Sequence, residues 1–222
     1  MRTLNKSTIA FSDLDSTMLD GDCELVWCKF MAERGIIDAE FLKTIAQYCL
    51  DYEEGKLDYA EYERFLMKPM SFYSAGQAEE LIQGFLQELR LLFRPYMLQR
   101  LEEHRSKGDT LILATASNHI MAQPIAAILG IPNLICTQLE MAGGIPTGKL
   151  VHPAPFRQVK AEAVRTWVSE NNASLAGSWG YSDSHNDIPF LSLVENPIAV
   201  TPDAMLREYA EQRGWPVIEK PV

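Results

Sequence analysis

The run Ile9-Ala10-Phe11-Ser12-Asp13-Leu14-Asp15-Ser16-Thr17 decides how the rest of the chain is read. Three apolar residues suited to a short buried strand give way to two aspartates one residue apart, and Ser16-Thr17 opens a turn. In an open α/β sheet the carboxyl ends of the strands are where ligands bind, so Asp13 and Asp15 stand at that edge. Taken alone, the two acids and the Ser-Thr pair suit a helix cap equally well.

Short apolar runs recur at Thr8–Ser12, Thr110–Ala114, Leu134–Thr137, Trp179–Ser182 and Pro197–Thr201, each followed by a segment of helical character. That alternation predicts an α/β fold, a parallel sheet with helices on both faces. Asn118–Leu129 stops at Gly130-Ile131-Pro132, and Ala154–Ser169 carries Val159, Ala163, Val164 and Trp167 at helical spacing. Met141–Gly148 is rich in turn residues and reads as a hairpin beside the third strand. Residues 20–94 are too many for one crossover between the first two strands. Phe30 and Met31, then Phe41, Leu42 and Ile45, and a further helix over Ala78–Leu92 predict an inserted helical cap there. Residues 1–19 and 95–222 are left as the α/β core.

A second acidic strand end lies in Gly180-Tyr181-Ser182-Asp183-Ser184-His185-Asn186-Asp187. Asp183 closes an apolar strand and Asp187 follows one helical turn later, a spacing that can aim both carboxylates at one centre. Hard divalent cations such as magnesium take a few carboxylate oxygens and keep several waters. The competing reading is a helix cap by Asp183 with Asp187 at the helix dipole. Thr115 ends the second strand with a hydroxyl able to meet a phosphoryl oxygen, and Lys160 offers an ammonium to the same group. Lys149, after the hairpin, is the alternative lysine.

Of 222 residues, 47% are hydrophobic and 23% charged, so a packed core is expected. The net charge of −10 disfavours nucleic acid, which needs clustered Lys and Arg. An acidic protein that binds phosphate must concentrate positive charge locally, and a metal ion does so. Cys23, Cys28, Cys49 and Cys136 form no CxxC pair and read as free thiols. The opening Met1–Lys6 and the short apolar run after it are too brief for a signal sequence or a membrane span. A soluble, cytoplasmic protein of unreadable oligomeric state is expected.

Two aspartates after strand one, a hydroxyl after strand two, a lysine and then paired acids occur in that order, with a helical insert behind the first pair. This arrangement resembles the haloacid dehalogenase superfamily, in its phosphoserine-phosphatase-like branch, over about Ile9–Trp215. The resemblance implies a Rossmann-like core under a helical cap that opens and closes. It implies Asp13 as a nucleophile that becomes phosphorylated, and Asp15 as the acid and base toward leaving group and water. It also implies Mg2+ held by Asp13, the carbonyl of Asp15 and Asp183, with Asp187 in support, and Thr115 and Lys160 on the phosphoryl oxygens. Asn186 matches a polar position beside the substrate phosphate, and Ser117 stands, after Ala116, where those enzymes carry a glycine pair.

The cap sets the substrate, a small phosphorylated metabolite. Asp22 falls where phosphoserine phosphatases place an acid for the substrate amine, and Arg64 where they carry an arginine for its carboxylate. Glu54-Gly55-Lys56-Leu57 is similar to their Glu-Gly-Lys-Leu stretch. The cap entrance Cys23-Glu24-Leu25-Val26-Trp27 departs from theirs, and Leu19-Asp20-Gly21-Asp22, Trp27 and Tyr181–His185 together resemble a sister group often described as histidinol-phosphatases. A carboxylate-rich, aromatic entrance suits a cationic amino alcohol, so histidinol phosphate is the favoured substrate and phosphoserine the alternative. A phosphotransferase or mutase, and a phosphate-binding module without turnover, are the further alternatives. Asp22 as a helix cap, Arg64 on a solvated face and Trp27 in the cap core are the competing structural readings.

Overall fold

The computed structural model describes residues 8–220, so the opening Met1–Lys6 lies outside the described residues. Strand β1 (Ile9–Ser12) leads into the four α-helices of the insert: α1 (Cys23–Glu33), α2 (Ala39–Glu53), α3 (Tyr59–Met67) and α4 (Ala75–Leu89). Side-chain oxygens start each of them. Asp22, Asp38 and Asp58 cap α1, α2 and α3, and Ser74 with Gln77 forms a capping box on α4. After a 3-10 turn over Arg90–Leu92, Pro95 opens α5 (Pro95–Lys107), which ends on Gly108 in the left-handed conformation.

Strand β2 (Thr110–Asn118), α6 (His119–Ile128) and β3 (Asn133–Thr137) follow, then the hairpin β4 (Leu139–Ala142) and β5 (Ile145–Leu150). Gly143 and Gly144 form its two-residue turn, both at positive φ. The chain closes with α7 (Gln158–Glu170), β6 (Trp179–Ser182), a short α8 (Ile188–Leu191), β7 (Asn196–Val200), α9 (Ala204–Arg213) and β8 (Val217–Ile218). Among the described residues six strands make one parallel sheet in the order β3-β2-β1-β6-β7-β8, and β4-β5 stands apart as a two-stranded sheet.

The sheet is buried on both faces, and the pleat sorts the side chains. Ala10, Leu111 and Leu113 join one apolar cluster with Met97 and Leu101 of α5 and Ile120 and Ile125 of α6. Ile9, Phe11, Ile112 and Ala114 join the other, with Ala161 and Val164 of α7 and Leu206 and Ala210 of α9. The first cluster continues through Leu14 and Met18 into the insert, where Trp27 stacks on Phe30 and meets Phe85 edge-on. Trp27 is therefore interior packing. The chain leaves and re-enters side by side, with Leu19 bridged to Phe93 and the Arg94 N–H donating to the Met18 carbonyl at 2.9 Å.

Three differences from the sequence reading bear on the site. Strand β2 runs four residues beyond Ala114, with a register irregularity between Ala114 and Asn118, so Thr115 lies within the strand. The hairpin packs on the insert: a Cβ at Gly148 would lie 2.5 Å from the Cα of Arg64 on α3. Strand β8, too short to show as an apolar run, adds an edge beside β7. Among the described residues no helix is long and apolar enough to cross a membrane.

Candidate active site

Strands β1 and β6 end beside the C-terminal half of β2, which brings Asp13, Asp15, Asp183 and, from within β2, Thr115 together around a cavity of about 280 Å³. Asp13 leaves β1 with its N–H donating to the Tyr181 carbonyl at 2.9 Å. Ser16, at φ 53°, turns the chain back, and the Thr17 hydroxyl donates to Asp183 Oδ1 at 3.0 Å, tying the two acidic strand ends to each other.

Lys160, in the first turn of α7, is buried and donates to Asp13 Oδ1 at 2.9 Å and to Asp187 Oδ2 at 2.7 Å. Burial opposes its charge, but Asp13 and Asp187 outweigh burial and raise its pKa above the ordinary lysine range. Lys149, the alternative, stands exposed on the hairpin and pairs with Glu140. Asp187 also accepts from the Ser182 hydroxyl at 2.7 Å, so its carboxylate orients the lysine from behind.

Asp15 is held on both oxygens. The Cys23 N–H donates to Oδ1 at 2.7 Å and the Ser117 hydroxyl to Oδ2 at 2.5 Å, while Thr115 Oγ1 is 3.5 Å from Oδ2. Ser117 thus lines the cavity, as expected of a substrate contact, and also holds Asp15, while its N–H donates to the Thr115 hydroxyl at 3.1 Å. Burial, then Asp22 and Asp13, push Asp15 up to about 7. Burial also pushes Asp13 up to about 6, against the pull of Lys160. Asp183 is raised well above the carboxylate range by burial and by Asp13 and Asp187.

Such an excess of buried negative charge fits a divalent cation. The donor chemistry fits as well, because carboxylate and carbonyl oxygens of Asp13, Asp15 and Asp183 are hard ligands. Among the described residues no three acidic, histidine or cysteine side chains already converge as a metal cage. Magnesium, which binds through one or two carboxylates and keeps its waters, needs no such cage.

Of the expected substrate contacts, Asp22 lines the cavity and also caps α1, accepting from the Glu24 and Leu25 N–H groups. Arg64 does not reach the site; it lies exposed on α3, whose Tyr62, Glu63, Leu66 and Met67 face inward. Asn186 is buried and its Oδ1 accepts from Arg157 Nε at 2.7 Å, so it is positioned beside the cavity without lining it.

Sequence reasoning missed several groups. Tyr48, Tyr52, Tyr59 and Tyr62, whose signal was the tyrosine content of the insert, wall the cavity together with Phe156, which lies just before α7 and carried no signal. Arg157 precedes α7 at φ 51° and lays its guanidinium over the Phe156 ring, 4.9 Å from the centroid. A Cβ on Gly55 would meet that guanidinium at 2.6 Å, so Arg157 joins α7 to the insert through the Glu54-Gly55-Lys56 loop.

Comparison with known proteins gives the family and the fold. The sequence model of haloacid dehalogenase-like hydrolases matches residues 10–192, and the chain belongs to that family. It is 31% identical over 218 residues to a histidinol-phosphatase of Neisseria meningitidis serogroup C, spanning 95% of this chain and 97% of that one. It is 30% identical over 222 residues to a phosphoserine phosphatase of Mycobacterium tuberculosis, spanning 96% of this chain and 71% of that one. Among solved structures, a protein of unknown function from Bordetella pertussis Tohama I superposes with a TM-score of 0.88 at 30% identity, covering 96% of this chain and 99% of that one. A substrate-bound phosphoserine phosphatase superposes with a TM-score of 0.67 at 18% identity, covering 96% of this chain and 93% of that one, a likeness of fold.

Proposed function

We propose that this haloacid dehalogenase-like hydrolase, a phosphoric monoester hydrolase, is magnesium-dependent and cleaves the phosphate ester of a small amine or amino alcohol, histidinol phosphate before phosphoserine. Asp13 attacks phosphorus, the bond from phosphorus to the ester oxygen breaks, and the phosphoryl group passes to the Asp13 carboxylate. Asp15, held near neutrality by burial, gives its proton to the departing oxygen. It then takes a proton from the water that hydrolyses the acyl phosphate and frees Asp13. Lys160 offsets the repulsion between carboxylate and phosphate. Asp13, Asp183 and the Asp15 carbonyl would hold Mg2+, with Asp187 in support, and the ion would supply further positive charge to the phosphate. Helices α1–α4 act as the cap that excludes water once the substrate is seated.

The observation that carries the choice of substrate is the charge of the cavity wall. Among the described residues that line it, six are carboxylates (Asp13, Asp15, Asp22, Glu24, Asp183 and Asp187) and one, Lys160, is a cation. A substrate carboxylate would therefore meet no counter-charge beyond the phosphate end, because Arg64 faces solvent. An ammonium meets Asp22 and Glu24 among tyrosine rings. Steady-state phosphate release from histidinol phosphate and phosphoserine, side by side with Mg2+ and with EDTA, tests this. The expected result is a kcat/KM at least about tenfold higher for histidinol phosphate, as one charge pair allows. Equal or better turnover of phosphoserine, or release that EDTA does not stop, would overturn it.

A further inference from the structure

Two buried acids of the insert converge on one amide. Asn118 Nδ2 donates to Glu24 Oε1 at 3.1 Å and to Glu63 Oε2 at 3.0 Å. The Asn118 N–H adds a bond to Glu24 Oε1 at 3.3 Å, and the Tyr62 hydroxyl donates to Glu24 Oε2 at 2.8 Å. Asn118 is itself fixed, because its Oδ1 caps α6 by accepting from the Ile120 N–H. Glu24 is 8% exposed and Glu63 1% exposed, and these partners are two amide donors and a phenol, all neutral.

Phosphate chemistry at Asp13 makes no use of this group, and two carboxylates buried together without a cation are costly. Burial is the main reason that Glu24 lies well above the carboxylate range and that Glu63 is pushed up to about 8. Two polar atoms stay without a hydrogen-bond partner in the same place, Glu63 Oε1 and the Tyr59 hydroxyl. Glu24 and Tyr59 both line the cavity that holds Asp13, with Tyr48, Tyr52 and Tyr62 on the same wall. A rigid, acceptor-rich and uncompensated corner between flat rings fits a planar ligand group that brings N–H donors and positive charge.

We propose that Glu24 is a specificity-determining residue that accepts a ring N–H of an imidazole-type group on the substrate, and that Glu63 is a positioning residue acting on Glu24 through Asn118. The assignment rests on the reading of the substrate as a phosphorylated amine and adds to it a second nitrogen-bearing group at the far end of the cavity. Asp22 and Glu24 then divide the recognition, one facing the amine and the other the ring.

Glu24→Gln, Glu63→Gln and Tyr62→Phe test it by kinetics and by binding. With histidinol phosphate, kcat/KM falls roughly 10- to 100-fold in the two glutamine variants, the scale of one hydrogen bond to a charged group. The loss appears mainly in KM, and Tyr62→Phe changes in the same direction by less. With phosphoethanolamine, which has the amine and no ring, the loss is at least tenfold smaller. Calorimetric titration with 4-methylimidazole alone gives a Kd about tenfold weaker in both glutamine variants than in the wild type. Equal losses on both phosphate esters, or an unchanged or undetectable 4-methylimidazole affinity across wild type and variants, would overturn the proposal. If the wild type ignores histidinol phosphate yet binds 4-methylimidazole through Glu24 and Glu63, the proposed substrate falls and the subsite stands.

Discussion

Lys160 Nζ lies 2.9 Å from Asp13 Oδ1, joining two residues 147 positions apart in the chain. The ammonium steadies the carboxylate before reaction, and it stands where a phosphoryl group arriving at Asp13 would meet it. Asp13→Asn preserves the size of the side chain and removes the nucleophile. Phosphate release is expected to fall at least about 10³-fold, while circular dichroism shows the fold retained. Residual turnover within about tenfold of wild type would remove Asp13 from the nucleophile's role.

Lys160→Met leaves Asp13 and Asp187 buried without their cation. Breaking a buried pair from one side costs about 3–5 kcal/mol, so denaturant unfolding shifts to lower concentration. Adding Asp187→Asn to Lys160→Met removes one of the stranded charges and recovers part of that loss. Activity stays low in both variants. A single variant as stable as the wild type would mean that the lysine contributes nothing net to the fold.

Thr17 offers a test of the metal that leaves every proposed ligand in place. Its hydroxyl donates to Asp183 Oδ1 at 3.0 Å and so fixes the direction of that carboxylate. Loss of such an outer contact costs about 10- to 100-fold in metal affinity. Thr17→Val therefore needs at least about tenfold more Mg2+ for half-maximal phosphate release, with a similar rate at saturation. EDTA abolishes turnover in both proteins and added Mg2+ restores it. An identical Mg2+ requirement would detach Asp183 from the metal.

The site's sequence signal was strongest where the chain is most regular. Asp13, Asp15 and Asp183 follow apolar strands, and a buried parallel strand announces its own end through the switch from apolar to polar residues. Lys160 was legible only by its place at the start of a helical stretch, and its two carboxylate partners are what favour it over the exposed Lys149. Ser117 lines the cavity as its place after Ala116 suggests, but its bond to Asp15 could not be read from sequence, because β2 continues through an irregular stretch to Asn118. Arg64 was misplaced because the neighbouring Tyr62 and Glu63 take the inward face of α3. No local pattern marks Glu63 as a buried acid, since its partner Asn118 is 55 residues away. A glutamate set among Tyr62, Phe65, Leu66 and Met67 was the faint sign.

Glu63 also gives the protein a pH dependence with a definite sign. Its pKa rises from 4.5 to about 8, chiefly through burial. Between those values the folded protein keeps the proton while the unfolded chain releases it, so stability falls as pH rises through that window. Glutamine does not titrate. The stability of Glu63→Gln relative to the wild type therefore grows from about pH 5 to about pH 8, by on the order of a few kcal/mol. Urea unfolding of both proteins at the two pH values reads this, and a constant difference would show that Glu63 is already ionised near pH 5.

Gly148 couples the hairpin to the substrate wall. It sits at φ +75°, and a Cβ there would come within 2.5 Å of the Arg64 Cα and 2.9 Å of the Glu63 carbonyl, both backbone atoms that cannot rotate away. Gly148→Ala must therefore push α3 outward, and α3 carries Tyr59, Tyr62 and Glu63. Gly143, at φ +58° with nothing within 4 Å of its Cβ position, is the control for backbone strain alone. Gly143→Ala is expected to cost about 1 kcal/mol, and Gly148→Ala about 2–4 kcal/mol with a severalfold higher KM for the phosphate ester. Chemical unfolding and steady-state kinetics separate the two. Equal costs and an unchanged KM would mean that α3 yields to the methyl group without moving the residues that face the substrate.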